Sequence, residues 1–274
     1  MTSLPKGRVF IEGRYRKLSR DLPQTVFYCP RCKGHPRRRR KCERCQGFGK
    51  LTRDSVQELV GWVLGPAFKT RKNKFHGAGR EDIDVRMLGR GRPFVMELVN
   101  PRVLEVDLAA LEAEINRRNE ERLEVCGLHW SERGRVRTLK ETRHAKEYEA
   151  LVEIGQEPDP ARVEELIGRR VTIEQQTPQR VAHRRAAMVR ERWIELRSLQ
   201  PADEPARWRV RLLTEHGTYV KEAVTGEGGS TSPSLTELLG ASCACLALDV
   251  VGILDEDGNE LPERPAPVSF GRGL

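Results

Sequence analysis

No stretch of this 274-residue sequence approaches the roughly 18 consecutive apolar residues that a membrane-spanning helix needs. The best apolar run, Cys243 to Leu254, is interrupted by Asp249. The opening MTSLPKGRVF lacks the apolar core of a secretory signal, so the expected location is cytoplasmic. No GxGxxG opens a helix after a strand, and no Walker loop, HExxH pair or serine–histidine–aspartate order occurs. Nucleotide hydrolysis and the familiar hydrolase chemistries therefore have no residues to rest on. Internal repeats are absent too. The cysteine count, seven, is odd, which does not suit a disulfide framework; reduced thiols and a metal site fit better.

What is present in excess is positive charge. Lys and Arg number 49 against 40 Asp and Glu, a net of +9, in a chain that is 38% hydrophobic and 32% charged. Arginine outnumbers lysine along most of the chain, and planar guanidinium forks suit phosphate. An RNA or other nucleic-acid partner is the leading expectation. The length allows one large domain or two modest ones, since domains commonly run to about 100–200 residues.

Four of the cysteines fall in two pairs, Cys29-Pro-Arg-Cys32 and Cys42-Glu-Arg-Cys45. Two such knuckles supply four soft ligands, the donor set of a closed tetrahedral Zn²⁺ site. Between them lie His35 and the run Arg37-Arg38-Arg39-Arg40-Lys41, readable as a solvated loop or as a tip that contacts phosphate. Residues 29–50 have almost nothing to bury and are expected to be a metal-folded insert. CERCQGFG also resembles the cysteine-rich repeat of Hsp40 chaperones, but that family needs several repeats and at most one and a half are present.

The remaining pattern is mixed. The first 28 residues show no clear period. Ser55 and Glu58 suggest a capping box for a helix with Val56, Leu59, Val60, Val63 and Leu64 on one face. Residues 69–92 read as a long charged loop, and Pro93 opens the strand PFVMELV. A second helix is expected over 107–122 with Asp107 as N-cap, then a short strand from Leu123 to Leu128. Tyr148, Ala150, Val152 and Ile154 alternate as a half-buried strand, and a short helix runs from Pro160 to Gly168. RVTIEQQ, RWIELRSL, RWRVRLLT and CLALDVVGI are further strands, with a helical segment after His216. Strands that follow one another without intervening helices predict an α+β fold with a largely antiparallel sheet.

Three short stretches carry candidate chemistry. In Gly79-Arg80-Glu81-Asp82-Ile83-Asp84-Val85-Arg86, a carboxylate framed by arginines and inserted apolar residues suggests a tight buried loop. A carboxylate held there is a candidate nucleophile. Spacing alone does not choose among Glu81, Asp82 and Asp84. Tyr148 enters a strand, where a tyrosine is commonly core. Lys221 follows GTYV at a turn into helix, where a lysine is commonly surface.

Taken in order, GRYRKLSRDLPQT, FHGAGREDIDVRMLGRGRPFVMELVNP, KEYEALV, TPQRVAHRR, GTYVKEAV and TSPSLTELLG resemble the archaeal and eukaryotic tRNA pseudouridine-54/55 synthases, over about residues 13–250. The resemblance implies the pseudouridine synthase fold across residues 1–274, with flanking helices, a central RNA-binding cleft and no separate THUMP domain. It makes Asp82 the nucleophilic aspartate, with Arg80 the arginine before it. Tyr148 matches the tyrosine that stacks on the target uracil, Lys221 the basic residue that pairs with the aspartate, and Leu238 the aliphatic wall of the pocket. Arg86, Tyr219, Arg180, Arg184, Arg185, Arg38 and Arg39 are the expected RNA contacts. The expected substrate is a uridine of the tRNA T arm, with structural Zn²⁺, no organic cofactor and no obligate protein partner. Two competing readings are a non-catalytic RNA-binding protein that keeps the fold and a DNA-binding zinc protein. The latter wants a basic recognition helix, and the arginines here lie mostly on strands and loops.

Overall fold

The first 28 residues, which show no period in sequence, contain a central strand. In a computed structural model describing residues 7–182, 186–255 and 257–261, β1 (Arg8–Lys17) is paired on both edges. Both of its faces are covered, so the alternation that marks a half-exposed strand is missing. Its buried Glu12, Arg14 and Lys17 are each tied by hydrogen bonds, and polar groups in such a place must be paired.

The chain divides into two compact units, one of residues up to Thr142 and one of Arg143–Leu261. The first contains β1, a short helix α1 (Pro36–Arg39), α2 (Val56–Ala67), β2 (Lys72–Gly77), β3 (Arg86–Val99), α3 (Leu108–Arg118), β4 (Leu123–Ser131) and α4 (Arg133–Glu141). Its antiparallel strands lie in the order β4-β1-β3-β2. The region read as one long charged loop holds β2 and the start of β3. Gly91, at φ +75°, lies where a Cβ would fall 2.7 Å from the Tyr15 carbonyl oxygen, so the strand continues past this close approach only with glycine. Helix α4 also went unsignalled, because RGRVRTLKE buries only Leu139.

Helix α2 behaves as its pattern predicts. Val56, Leu59, Val60, Val63 and Leu64 are all at most 6% exposed, each burial being worth about 1.5–3 kcal/mol. Its cap differs in detail. Ser55 Oγ accepts from the Glu58 N–H at 3.3 Å, while the Glu58 carboxylate takes the Ser55 hydroxyl at 2.8 Å and the Lys50 ammonium at 2.6 Å. Helix α3 is capped by Asp107 as expected, but of its inner face only Ile115 is fully buried.

The second unit contains β5 (Lys146–Ile154), α5 (Pro160–Leu166), β6 (Arg170–Gln176), β7 (Val189–Pro201), β8 (Arg207–Thr214), α6 (Val220–Thr225), β9 (Thr231–Ser232), α7 (Leu235–Leu239) and β10 (Cys243–Ile253). Its strands are antiparallel in the order β10-β5-β8-β7-β6-β9. Val152, Val210, Leu212, Leu248 and Val250 are buried within it, and α6 packs on β10, β6 and α7. A reciprocal capping box forms at α7 between Ser234 and Glu237. Among the described residues no helix is long and apolar enough to cross a membrane.

Candidate active site and metal centre

The loop between β2 and β3 carries the three candidate carboxylates, and they are held in three different environments. Glu81 is buried and Asp82 half-buried, while Asp84 is exposed. The Glu81 carboxylate accepts from the Tyr15 hydroxyl at 2.9 Å and from Arg92 Nε at 2.8 Å, with both its own and the Arg92 side chain only 1% exposed. Gln24 Nε2 donates to the Tyr15 oxygen and to the Gly79 carbonyl, each at 2.9 Å, and Arg92 also donates to the Ala78 carbonyl at 2.7 Å. Burial, reinforced by the Glu81 charge, pushes Tyr15 well above the usual tyrosine range, which keeps its hydroxyl a donor.

Asp82 itself is fixed from behind. The fully buried Lys17 donates from Nζ to the carbonyls of Asp82 and Ile83, both at 2.9 Å, and the Val85 N–H closes a turn onto the Asp82 carbonyl at 3.2 Å. Burial pulls Lys17 down to about 8. Arg20 donates to the Asp84 carbonyl at 3.0 Å. The expected tight loop is thus real, although only Glu81 and Val85 within it are fully buried. Arg80 is exposed, and Arg86 is half-buried at the start of β3. Sequence reading missed Lys17, Tyr15, Gln24 and Arg92. Their signal was weak, since each lies in a segment that read as basic and aperiodic.

In the second unit, Tyr148 is half-buried on β5, between Val250 of β10 and Leu212 of β8. Lys221 is half-buried in the first turn of α6. Leu238 on α7 packs against Ile173, Ile194 and Ala223. Tyr219, the residue before α6, is clamped by Gln175, which accepts from its N–H at 2.9 Å and donates to its carbonyl at 3.0 Å. The Tyr219 ring has the guanidinium carbons of Arg180 and Arg190 at 5.9 and 5.7 Å. Arg180 also binds the buried Glu222 carboxylate, with a 3.0 Å bond from one terminal nitrogen. Arg184 and Arg185 lie outside the described residues. Close by the turn, the Lys146 ammonium is 3.4 Å from His216 Nδ1. Burial, and then the charges of Lys146, Arg143 and Arg192, push His216 down to about 4.

The two cysteine pairs of the first unit converge. Cys29, Cys32, Cys42 and Cys45 are at most 7% exposed, and their sulfurs all lie within 4.8 Å of one another, a cluster able to hold a metal ion. Cys29 and Cys42 sulfurs are 3.8 Å apart, those of Cys32 and Cys45 3.6 Å. Lys33, Gln46, Gly34 and Gly47 all take positive φ, which turns each knuckle back on itself. The Gly49 N–H donates to Cys45 Sγ at 3.1 Å, and backbone N–H groups of Cys32 and Arg31 draw the Cys29 thiol down to about 7. Arg38 and Arg39 are exposed on α1 beside this cluster.

An antiparallel α+β chain whose carboxylate loop is anchored by a buried ion pair, and which carries a four-cysteine module, is the class these parts define. The family model described as "Pus10, C-terminal" matches residues 10–254. The chain belongs to that family. It is 44% identical over 256 residues to "tRNA pseudouridine synthase Pus10" of Methanopyrus kandleri, covering 92% of this chain and 57% of that protein. The protein of the same name from Korarchaeum cryptofilum is 42% identical over 251 residues, covering 90% of this chain and 66% of its own length. The chain therefore spans between about half and two thirds of such relatives. Among solved structures, a chain described as "Crystal Structure of a Cbf5-Nop10-Gar1 Complex" gives a TM-score of 0.39 at 17% identity, over 72% of this chain and 45% of that one.

Proposed function

We propose that this chain isomerises uridine to pseudouridine in RNA, with Asp82 as the nucleophile and a uridine of the tRNA T arm, position 54 or 55 or both, as the target. The reaction breaks the N1–C1′ bond, turns the base and rejoins it through C5. Substrate and product are isomers, so no organic cofactor enters. A stacked uracil is out of reach, and flipping it out costs a few kcal/mol, about 1–3 of which an aromatic platform such as Tyr148 returns. In this reading Lys221 is the basic group of the reaction and Leu238 walls the uracil pocket. Arg80, Arg86, Arg180, Tyr219, Arg184, Arg185, Arg38 and Arg39 contribute RNA contacts.

The observation that carries the reading, beside family membership, is the division of labour in the Gly79–Arg86 loop. Glu81 is committed to Tyr15 and Arg92, and Asp84 faces solvent. Asp82 sits between them with its main chain pinned by Lys17. A nucleophile needs its main chain held in such a fixed geometry. The test is release of tritium from C5-labelled uridine in tRNA. Wild type releases it, and Asp82→Asn does not while still binding RNA. Activity in Asp82→Asn together with its loss in Asp84→Asn would assign the wrong carboxylate. RNA binding without release in wild type would favour a non-catalytic RNA-binding protein.

We assign Zn²⁺ to the four cysteines. Zinc–sulfur bonds of about 2.3 Å at tetrahedral angles set sulfurs about 3.8 Å apart. The observed 3.8 and 3.6 Å fit that edge. Four thiolates fill the coordination sphere, so the metal holds the fold of residues 29–50 and leaves no open position for catalysis.

A further inference from the structure

The positive charge of this chain is not spread over it. Residues 31–53 hold ten Lys and Arg against the single Glu43, while the rest of the chain holds 39 cations and 39 carboxylates. The cysteine module and the turn after it therefore account for the whole net charge of +9. Elsewhere the strand arginines meet carboxylates: Arg170 and Arg197 pair with Glu195, Arg211 with Glu147 and Glu149, and Arg207 with Glu204. In the module, Arg37, Arg38, Arg39, Arg40 and Lys41 are all exposed.

The same module displays rings that a small metal-folded knuckle would be expected to hide. Tyr28 is 55% and Phe48 50% exposed. They are linked through Lys50, which is the cross-strand partner of Tyr28 and carries its ammonium 5.1 Å from the centre of the Phe48 ring. The Tyr28 ring lies over Gly34, where a Cβ would fall 2.5 Å from Cδ1. The ring is thus supported from below by bare backbone at a residue whose φ of +71° also favours glycine. Supported aromatic faces beside a dense cationic run are what successive unpaired bases and their phosphates require. RNA is the occupant this combination fits, since it offers phosphates to the guanidinium groups and unstacked bases to the rings.

We infer that Tyr28 and Phe48 of the cysteine module form a stacking platform for unpaired RNA bases, with Arg37–Lys41 holding the flanking phosphates. This deepens the reading of the chain as an RNA-modifying protein and rests on it for the identity of the polymer. The platform uses other rings than Tyr148, and it addresses a single-stranded or looped segment of the substrate, not the reacting uridine.

The test uses the metal-loaded chain, with a fluorescent 12-nucleotide oligouridylate and a 12-base-pair RNA duplex as probes. Wild type should bind the single strand more tightly than the duplex. Tyr28→Ala and Phe48→Ala should each weaken single-strand binding about 5- to 150-fold, the usual loss per stacked base, with the salt slope unchanged. Tyr28→Trp should restore it. Replacing Arg38 and Arg39 by Gln should instead flatten the slope of log K against log[salt] by about 0.7 per lost single-strand phosphate contact. Metal content measured for each variant separates loss of the platform from loss of the fold. Equal affinity for both probes, or unchanged affinity in metal-loaded Tyr28→Ala/Phe48→Ala, overturns the platform, as does capture of a protein ligand in place of RNA. Tritium release from tRNA is followed in parallel. Release by wild type with ring-independent binding would sink the platform alone, whereas ring-dependent binding without release would sink the isomerase reading alone.

Discussion

Glu81 and Asp82 are sequence neighbours held in different ways, Glu81 by its carboxylate and Asp82 by its main-chain carbonyl. Glu81→Gln takes from the buried Arg92 guanidinium the carboxylate 2.8 Å from its Nε, and breaking one side of such a pair costs about 3–5 kcal/mol. Urea unfolding should show a loss of that size. A Glu81→Gln protein as stable as wild type would mean that the Tyr15–Glu81–Arg92 bonds do not hold the loop. His216 makes a second prediction at this scale. It is held near 4 when folded, against 6.5 ordinarily, so between these values the unfolded chain binds the extra proton. Stability contributed by this residue is therefore intact above about pH 6.5 and lost as pH falls toward 4. His216→Gln should lose less stability than wild type between pH 7 and pH 5, measured by denaturant titration at each pH. An identical loss in the two proteins would show that His216 is not the group responsible.

At the scale of elements, sequence legibility follows exposure. Strands β5, β6, β7, β8 and β10 alternate or run apolar, and each was legible. Strand β1 was not, because both faces are buried and its charged Glu12, Arg14 and Lys17 are satisfied by partners far away in sequence. The Gly79–Arg86 loop was legible as a site, yet the choice among its three acids needed the resemblance. The reason is that Tyr15, Lys17 and Arg92, which decide their environments, are 11 to 66 residues removed in the relevant bonds. The cysteine module was the most legible element, since ligand spacing is a local property. Its folding should also be local. Chelation of the metal should raise hydrogen exchange across residues 29–50 and leave β1 and β3 protected, because the hydrophobic cores of both units lie elsewhere. Global unfolding on chelation would contradict a module of purely local influence, and carefully reduced protein free of zinc would contradict the assignment of the metal.

At the scale of the whole molecule, the proposed roles are divided between the units, Asp82 in the first and Tyr148, Lys221 and Leu238 in the second. The family match runs through both units, over residues 10–254, and the net charge of the chain is concentrated in the cysteine module. The proposed reaction stands or falls on its product. The most direct measurement is chemical mapping of pseudouridine, at nucleotide resolution, in an unmodified tRNA transcript incubated with the purified 274-residue chain. New pseudouridine should form at position 54, position 55 or both, and none with Asp82→Asn. A transcript that the chain binds but leaves with every uridine unchanged would contradict it.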